Sequence, residues 1–176
     1  MEFKNLGRSS LKIPVLGLGT WGIGGLSAKS TEGDDGAITA LRLGLDLGMR
    51  FIDTAEIYAR GHSEDVVAKA IGHDRNSVFL ATKVSAEHLS YDGVLKSCNA
   101  SLKRLDTTYI DLYQVHWPNP RIPISVTMKA MEQLVKDGKI RYIGVSNFSA
   151  KQTREAQEAL SSLDLASNQV EYSLTE

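Results

Sequence analysis

The sequence is poor in cysteine, in net charge and in long hydrophobic runs. Its 176 residues include one cysteine, Cys98, which excludes a disulfide framework and a cysteine metal site. The formal net charge of -1 argues against binding to nucleic acid or to a membrane surface through bulk electrostatics. The longest apolar stretches have the length of strands, and the N-terminus lacks the layout of a signal peptide. We therefore expect a cytoplasmic protein.

The remaining composition is that of an ordinary globular domain. Hydrophobic residues make up 42% of the chain, and its length is sufficient for one domain with a sizeable core. No linker, low-complexity tract or repeat divides the sequence, so we expect a single domain over residues 1–176. Cys98 lies in a helical pattern, which predicts a small buried or half-buried helix residue rather than a nucleophile.

Apolar runs and turn signals predict a short β-hairpin over residues 3–13, broken by Pro14, and then an alternation of strands and helices. Strands are predicted at 15–19, 50–54, 78–84, 110–116, 141–145 and 167–172, and helices at 34–48, 64–71, 91–105, 123–136 and 150–160. Asp34, Ser63 and Ser149 are the expected N-caps. Strands recur about every 30 residues, the length of a βαβ unit. This alternation leaves two architectures, a doubly wound open sheet or a (β/α)₈ barrel.

Polar side chains stand at or near the ends of three successive predicted strands. Asp53, Lys83 and His116 each end an apolar run, and Tyr58 follows five positions after Asp53. Polar groups at several strand ends favour the barrel, whose rim is where such folds place their chemistry. Because a full barrel takes roughly 250 residues, the chain is predicted to form an incomplete (β/α)₈ barrel of about six β/α units.

Each of these four residues also has a purely structural explanation. Asp53 could cap a loop, Tyr58 could pack in the core, Lys83 could be solvated, and His116 could be a hydrogen-bonded core histidine. Their joint occurrence at strand ends favours a proton-transfer site over four independent structural roles.

The glycines at 17, 19 and 22 match the pattern G-x-G-x-x-G, which by itself is a weak signal. A dinucleotide fingerprint needs its third glycine at the start of a helix, whereas the next helix is predicted near Asp34. We expect instead that these glycines allow a tight exit from the first strand and close approach to a ligand.

Seven stretches of the sequence, in order, resemble the aldo-keto reductase family. They are residues 16–21, 51–58, 61–64, 81–83, 111–118, 143–148 and 168–172. The resemblance implies a (β/α)₈ barrel whose bottom is closed by an N-terminal hairpin. It also implies reduction of a small carbonyl substrate, an aldehyde or ketone, to an alcohol with NADP(H), without a metal.

Carbonyl reduction needs a proton donor for the carbonyl oxygen, and the matched positions supply one. A free tyrosine has a pKa of about 10, and a nearby ammonium lowers that pKa. The chemistry and the resemblance therefore assign Tyr58 as general acid, Lys83 as the group that tunes it and Asp53 as the partner of Lys83. His116 is expected to orient the carbonyl oxygen.

The resemblance also assigns cofactor and substrate contacts. The expected cofactor residues are Gly19, Thr20, Asp53, Ser146, Asn147 and Gln169, of which the last three bind the nicotinamide carboxamide. Trp21 and Trp117, together with Tyr58 and His116, are expected to line the substrate pocket; the alternative for Trp117 is a packed core tryptophan. His62, His73 and His88 have no ligand spacing and are expected at the surface or in loops.

Family members continue through a seventh and an eighth strand, whose following residues stack on the nicotinamide and hold the pyrophosphate and the 2′-phosphate. Residues 1–176 contain no counterpart of these, so we expect a C-terminally truncated domain with exposed sheet edges that favour self-association. The alternative function is a non-catalytic remnant, or a nucleotide-sensing or scaffold protein such as the family's ion-channel subunits. An ordinary Rossmann dehydrogenase is disfavoured by the missing helix after Gly22.

Overall fold

The computed structural model describes residues 1–26 and 28–175, which form a hairpin followed by six parallel strands that alternate with five α-helices. The hairpin consists of β1 (Phe3–Asn5) and β2 (Lys12–Pro14). The parallel strands are β3 (Leu18–Gly19), β4 (Phe51–Asp53), β5 (Phe79–Val84), β6 (Ile110–Val115), β7 (Ile140–Ser146) and β8 (Leu165–Gln169). The helices are α1 (Asp34–Asp46), α2 (His62–Ile71), α3 (Tyr91–Arg104), α4 (Ile124–Lys136) and α5 (Ala150–Ala159).

The six parallel strands form one curled sheet. Each strand pairs with the next one in the chain, in the order β3-β4-β5-β6-β7-β8. The curl brings the end of β8 close to the end of β4. There the Gln169 side-chain amide donates to the Asp53 carboxylate at 3.3 Å. The result is a half-barrel with six of the eight β/α units of a (β/α)₈ barrel, and its strands end at one common rim.

Two apolar clusters stabilise this arrangement. The larger one lies between the strands and the helices, and it includes Ile52, Leu80 and Cys98, all fully buried. The smaller one lies inside the sheet above the hairpin and is built around Leu6, Ala81, Leu112 and Ala166. Leu6, between the two hairpin strands, and Leu11 and Ile13 all pack in this cluster, so the hairpin lies against the sheet as its predicted place at the barrel bottom requires.

Two predicted helix caps were wrong. Helix α1 begins at Asp34 with Gly33 as its N-cap, and α2 begins at His62 with Gly61 as its N-cap. Both glycines have φ near +90°, a backbone conformation that glycine adopts without steric cost. Ser63 instead lies inside α2, fully buried.

Other predicted element ends were correct. Ser149 caps α5 through a capping box with Gln152. Helix α1 begins well after Gly22, as expected for a loop rather than a dinucleotide fingerprint. Cys98 is buried in α3, as predicted, and burial raises the pKa of its thiol to about 12, which disfavours the thiolate.

The first and last parallel strands are shorter or shifted relative to the prediction. The first covers only Leu18–Gly19 because ladder pairing with β4 is limited to these residues, and the last ends at Gln169 where its pairing with β7 stops. Pro14 ends β2 rather than following it.

In the described part of the chain, every helix is too short or too polar to cross a membrane.

Candidate active site

Asp53, Tyr58, Lys83 and His116 converge at the rim where the strands end. Asp53 is the last residue of β4, Lys83 lies one residue before the end of β5, and His116 directly follows β6. Tyr58 begins a short 3₁₀ turn between β4 and α2. The four predicted residues are therefore brought together by three adjacent strands and one loop.

Lys83 is the centre of the cluster. Its ammonium donates to the Asp53 carboxylate at 2.7 Å and to the Thr54 carbonyl at 3.0 Å, and it lies 3.5 Å from the Tyr58 hydroxyl. The side chain is 1% exposed, so it is not a solvated lysine. Burial lowers the pKa of Lys83, while the charge of Asp53 opposes that shift. Asp53 thus favours the charged form of this buried ammonium, which lies next to the phenol.

The pKa of Tyr58 is raised to about 12, opposite to the expected lowering. Burial is the larger cause, because it disfavours the tyrosinate, and the negative charge of Asp53 adds to it. The Lys83 ammonium, 3.5 Å from the hydroxyl and paired with Asp53 at 2.7 Å, does not outweigh these two effects on the pKa of Tyr58. Tyr58 is therefore a protonated phenol throughout the neutral range, which is the form that a proton donor requires.

His116 stands beside Tyr58 with its ring edge-to-face, 5.7 Å between ring centroids and 78° between planes. It is 8% exposed, and its pKa is lowered to about 4, first by burial and second by the nearby Lys83 charge. Nδ1 of His116 is buried, and among the described residues nothing bonds to it. At neutral pH His116 is a neutral imidazole, suited to donating a hydrogen bond from Nε2 rather than carrying charge.

The lowered pKa of His116 predicts a loss of stability in mild acid. An unfolded histidine has a pKa of about 6.5, so between that value and about 4 the unfolded chain binds the extra proton and stability falls as pH falls. Acidification from pH 7 to pH 4 lowers the free energy of unfolding, and we expect this decrease to be about 2 kcal/mol smaller in His116→Gln than in the unmodified chain. Urea unfolding at the two pH values measures this. Parallel losses in the variant and the unmodified chain would contradict it, and His73→Gln, at an exposed site, is the control.

Ser146, Asn147 and Gln169 form a connected polar group at the ends of β7 and β8. The Ser146 hydroxyl donates to the Gln169 carbonyl at 2.9 Å, and the Asn147 amide donates to the His116 carbonyl at 3.0 Å. Asn147 has φ of +62°, in the left-handed region that asparagine tolerates better than most residues. The three residues thus share one side of the rim with His116.

Gly19 and Thr20 lie next to Asp53. The Thr20 amide and hydroxyl both donate to the Asp53 carbonyl, at 3.0 and 3.1 Å. Thr20 is held in turn by the buried Ser63, whose hydroxyl donates to the Thr20 hydroxyl at 2.9 Å. A Cβ atom added to Gly19 would meet nothing within 4 Å, so the packing of the chain does not itself require glycine there.

Both tryptophans are exposed. Trp21 is 75% exposed and Trp117 is 54% exposed, and Trp117 directly follows His116. The alternative of a packed core tryptophan at position 117 is therefore wrong.

His73 and His88 are exposed as expected, but His62 is 4% exposed and bonds through Nε2 to Asp34 at 2.9 Å. His62 is a buried residue of α2, not a surface residue.

Two buried carboxylates near the site were not predicted. Glu56 accepts from the Ser85 amide at 2.6 Å, between β4 and β5 at the rim. Glu64 is fully buried and accepts from Thr82 and Arg104, each at 2.6 Å. A signal for Glu64 was present in the sequence: it lies three and seven residues before Val67 and Ile71, on the apolar stripe of α2.

Among residues 1–26 and 28–175, no group of three or more His, Cys, Asp or Glu side chains is arranged to hold a metal ion. Parallel strands curled into a half-barrel define a (β/α)₈-type fold, and a tyrosine, a buried lysine, a carboxylate and a neutral histidine lie together at its rim as a candidate active site.

Comparison with known proteins agrees with this class. The sequence matches the Aldo/keto reductase family over residues 15–176. It is 43% identical to Aldo-keto reductase YhdN of Bacillus subtilis over 86% of this chain and 49% of that protein. It is 40% identical to Methylglyoxal reductase YeaE of Escherichia coli over 93% of this chain and 56% of that protein. A putative voltage-gated potassium channel subunit beta of Schizosaccharomyces pombe is 36% identical, over 94% of this chain and 51% of that protein.

Solved structures show the same likeness. The thermostable aldo-keto reductase Tm1743, crystallised with the inhibitor epalrestat, superposes with a TM-score of 0.95 at 44% identity, over 98% of this chain and 63% of that one. An aldo-keto reductase from Klebsiella pneumoniae in complex with NADPH superposes with a TM-score of 0.86 at 39% identity, over 96% of this chain and 58% of that one. The chain belongs to the aldo/keto reductase family. It spans about half the length of the curated relatives that it matches.

Proposed function

We propose that the chain carries the proton-transfer half of an NADP(H)-dependent reduction of aldehydes or ketones to alcohols. The observation that carries this proposal is the position of the Tyr58 hydroxyl, 3.5 Å from the buried Lys83 ammonium and beside the neutral His116 ring. A phenol that stays protonated, next to a cation that stabilises it after proton loss, is suited to act as a general acid.

The residues at the rim fit a nicotinamide cofactor. Ser146, Asn147 and Gln169 carry hydroxyl and amide groups of the kind that bind a carboxamide, on the side of the rim that holds His116. Their donors bond within the rim, to the Gln169 and His116 carbonyls and the Asp53 carboxylate, so a bound carboxamide would share or replace these bonds. Gly19 leaves room for close approach of a ligand, and Asp53 Oδ1 is buried and finds no donor among the described residues. NADPH-bound relatives such as the Klebsiella pneumoniae enzyme support this choice of cofactor.

The chemistry requires a hydride and a proton. NADPH, if held at this rim by the residues named above, would supply the hydride. His116 donates a hydrogen bond from Nε2 to the carbonyl oxygen and holds it near Tyr58, and Tyr58 transfers its hydroxyl proton to that oxygen as the carbon is reduced. Lys83 stabilises the resulting tyrosinate until solvent returns the proton, and Asp53 keeps Lys83 charged.

The substrate is proposed to be a small reactive carbonyl compound, and methylglyoxal is the first one to test because Methylglyoxal reductase YeaE is among the relatives. The experiment follows NADPH absorbance with methylglyoxal and the purified chain and identifies the alcohol product. We expect substrate-dependent oxidation of NADPH. Binding of NADPH without turnover of any aldehyde or ketone would contradict catalysis and favour the nucleotide-sensing alternative, which the channel-subunit relative supports.

Self-association is a further part of the proposal. Within the described residues β3 and β8 are the edges of the parallel sheet, each paired on one side. Apolar side chains next to these edges are exposed, among them Leu16 at 57% and Val170 at 54%. Unpaired edges with exposed apolar neighbours favour association between chains. We expect the purified chain to sediment as a concentration-dependent oligomer; a single monomeric species at every concentration in analytical ultracentrifugation would contradict this.

A further inference from the structure

Glu64 is a charged residue in an apolar setting. It lies in the first turn of α2 and is 0% exposed, packed between that helix, strand β5 and helix α3. Burying a carboxylate is unfavourable unless its oxygen atoms are bonded, and both are. Oε1 accepts from the Thr82 hydroxyl at 2.6 Å, and Oε2 accepts from Arg104 Nε at 2.6 Å.

The first of these bonds fixes the strand that carries Lys83. Thr82 and Lys83 are neighbours in β5, so their side chains point to opposite faces of the sheet. Thr82 faces outward to Glu64, whereas Lys83 faces inward to Asp53 at 2.7 Å. The bond to Glu64 therefore holds β5 on the face of the sheet opposite to Lys83, at the residue that precedes Lys83 in the chain.

The second bond fixes the loop that carries Tyr58. The Arg104 side chain packs directly under Gly61, three residues after Tyr58: a Cβ atom added to Gly61 would lie 2.6 Å from Arg104 Nε. Between Tyr58 and Gly61, Ala59 and Arg60 both have positive φ, a conformation that persists only where the surroundings impose it. Glu64 orients Arg104, and Arg104 supports this turn.

We propose that Glu64 is a positioning residue that sets the separation between the Tyr58 hydroxyl and the Lys83 ammonium, through Thr82 on one side and Arg104 on the other. The proposal rests on the function proposed above, since it assigns a cause to the geometry of the same pair. A small displacement of either group would weaken the stabilisation of tyrosinate, because proton transfer depends steeply on the positions of the reacting groups.

The test compares Thr82→Val, which keeps the side-chain shape and removes the hydroxyl, with Thr82→Ser, which keeps the hydroxyl. We expect Thr82→Val to lower kcat about tenfold with KM for the aldehyde unchanged, and Thr82→Ser to stay near the unmodified rate. Crystal structures of both variants should show the Lys83 Nζ to Tyr58 Oη distance lengthened beyond hydrogen-bond range in Thr82→Val only. Glu64→Gln should act in the same direction.

Asp111→Asn is the matched control. Asp111 is another buried carboxylate, bonded to Arg75 and Arg141 near the start of β6 and far from the rim. We expect Asp111→Asn to lower the melting temperature and to leave kcat of the folded protein unchanged. The positioning role is overturned if Thr82→Val behaves like Asp111→Asn, with lower stability but the same kcat and distance. If the unmodified chain shows no turnover, the proposed function fails, while the distances in the two Thr82 variants still decide the positioning role.

Discussion

Replacing Tyr58 by phenylalanine is expected to lower kcat for carbonyl reduction about 10³-fold while leaving NADPH binding and the melting temperature nearly unchanged. The substitution removes one oxygen atom, the proposed proton donor, whose hydrogen bonding within the described part of the chain is limited to the 3.5 Å contact with Lys83. Steady-state kinetics and fluorescence titration with NADPH measure the two quantities. A variant that retains the unmodified rate would remove Tyr58 from the mechanism.

Tyr113→Phe is the matched control for that experiment. Tyr113 is fully buried in β6, and its hydroxyl is without a hydrogen-bond partner among the described residues. The same chemical change at this position removes an unsatisfied buried polar group, so we expect stability to stay equal or to rise by about 1 kcal/mol. The rate should not change. Loss of activity in both variants would indicate a general effect of the substitution on the fold.

Replacing Lys83 by methionine is expected to cost about 3 kcal/mol of unfolding free energy and to lower kcat about 100-fold or more. The substitution fills a similar volume but leaves the Asp53 carboxylate, 16% exposed, without its 2.7 Å partner. Chemical denaturation and steady-state kinetics measure the two effects. The reduced rate is expected because the ammonium proposed to stabilise the tyrosinate is then absent.

The double variant Asp53→Asn with Lys83→Met separates stability from catalysis. Removing both charges removes the cost of an unpaired buried carboxylate, so much of the lost stability should return. The rate should stay low, because the ammonium is still absent. Recovery of the rate together with stability would mean that Lys83 acts only through the fold.

The strand-end positions of the site could be predicted because each depends on local sequence. Asp53, Lys83 and His116 end apolar runs, and parallel strands in one sheet necessarily end on the same side. Ser149 was predictable as a cap for the same reason, since the capping box with Gln152 is a local pattern. Where neighbouring residues decide a feature, the sequence is sufficient to predict it.

The properties that depend on three-dimensional surroundings were not predictable. The pKa of Tyr58 is raised rather than lowered, because burial and the negative charge of Asp53 outweigh the effect of the Lys83 ammonium, which is itself paired with Asp53. The N-caps of α1 and α2 were assigned to the wrong residues because Gly33 and Gly61 cap these helices through backbone conformation, with no capping side chain. The burial of His62 depends on Asp34, which is 28 residues away in the chain.

The order of strands in the sheet has a consequence for hydrogen exchange. Asp53 and Lys83 belong to β4 and β5, and His116 directly follows β6; these three strands lie between other strands, whereas β3 and β8 lie at the two edges. Edge strands open by local fraying at much lower free energy than interior strands. Backbone amides of β5 and β6 should therefore exchange slowest and those of β3 and β8 fastest. Fluctuations that open the edges of the sheet would leave Asp53, Lys83 and His116 in place.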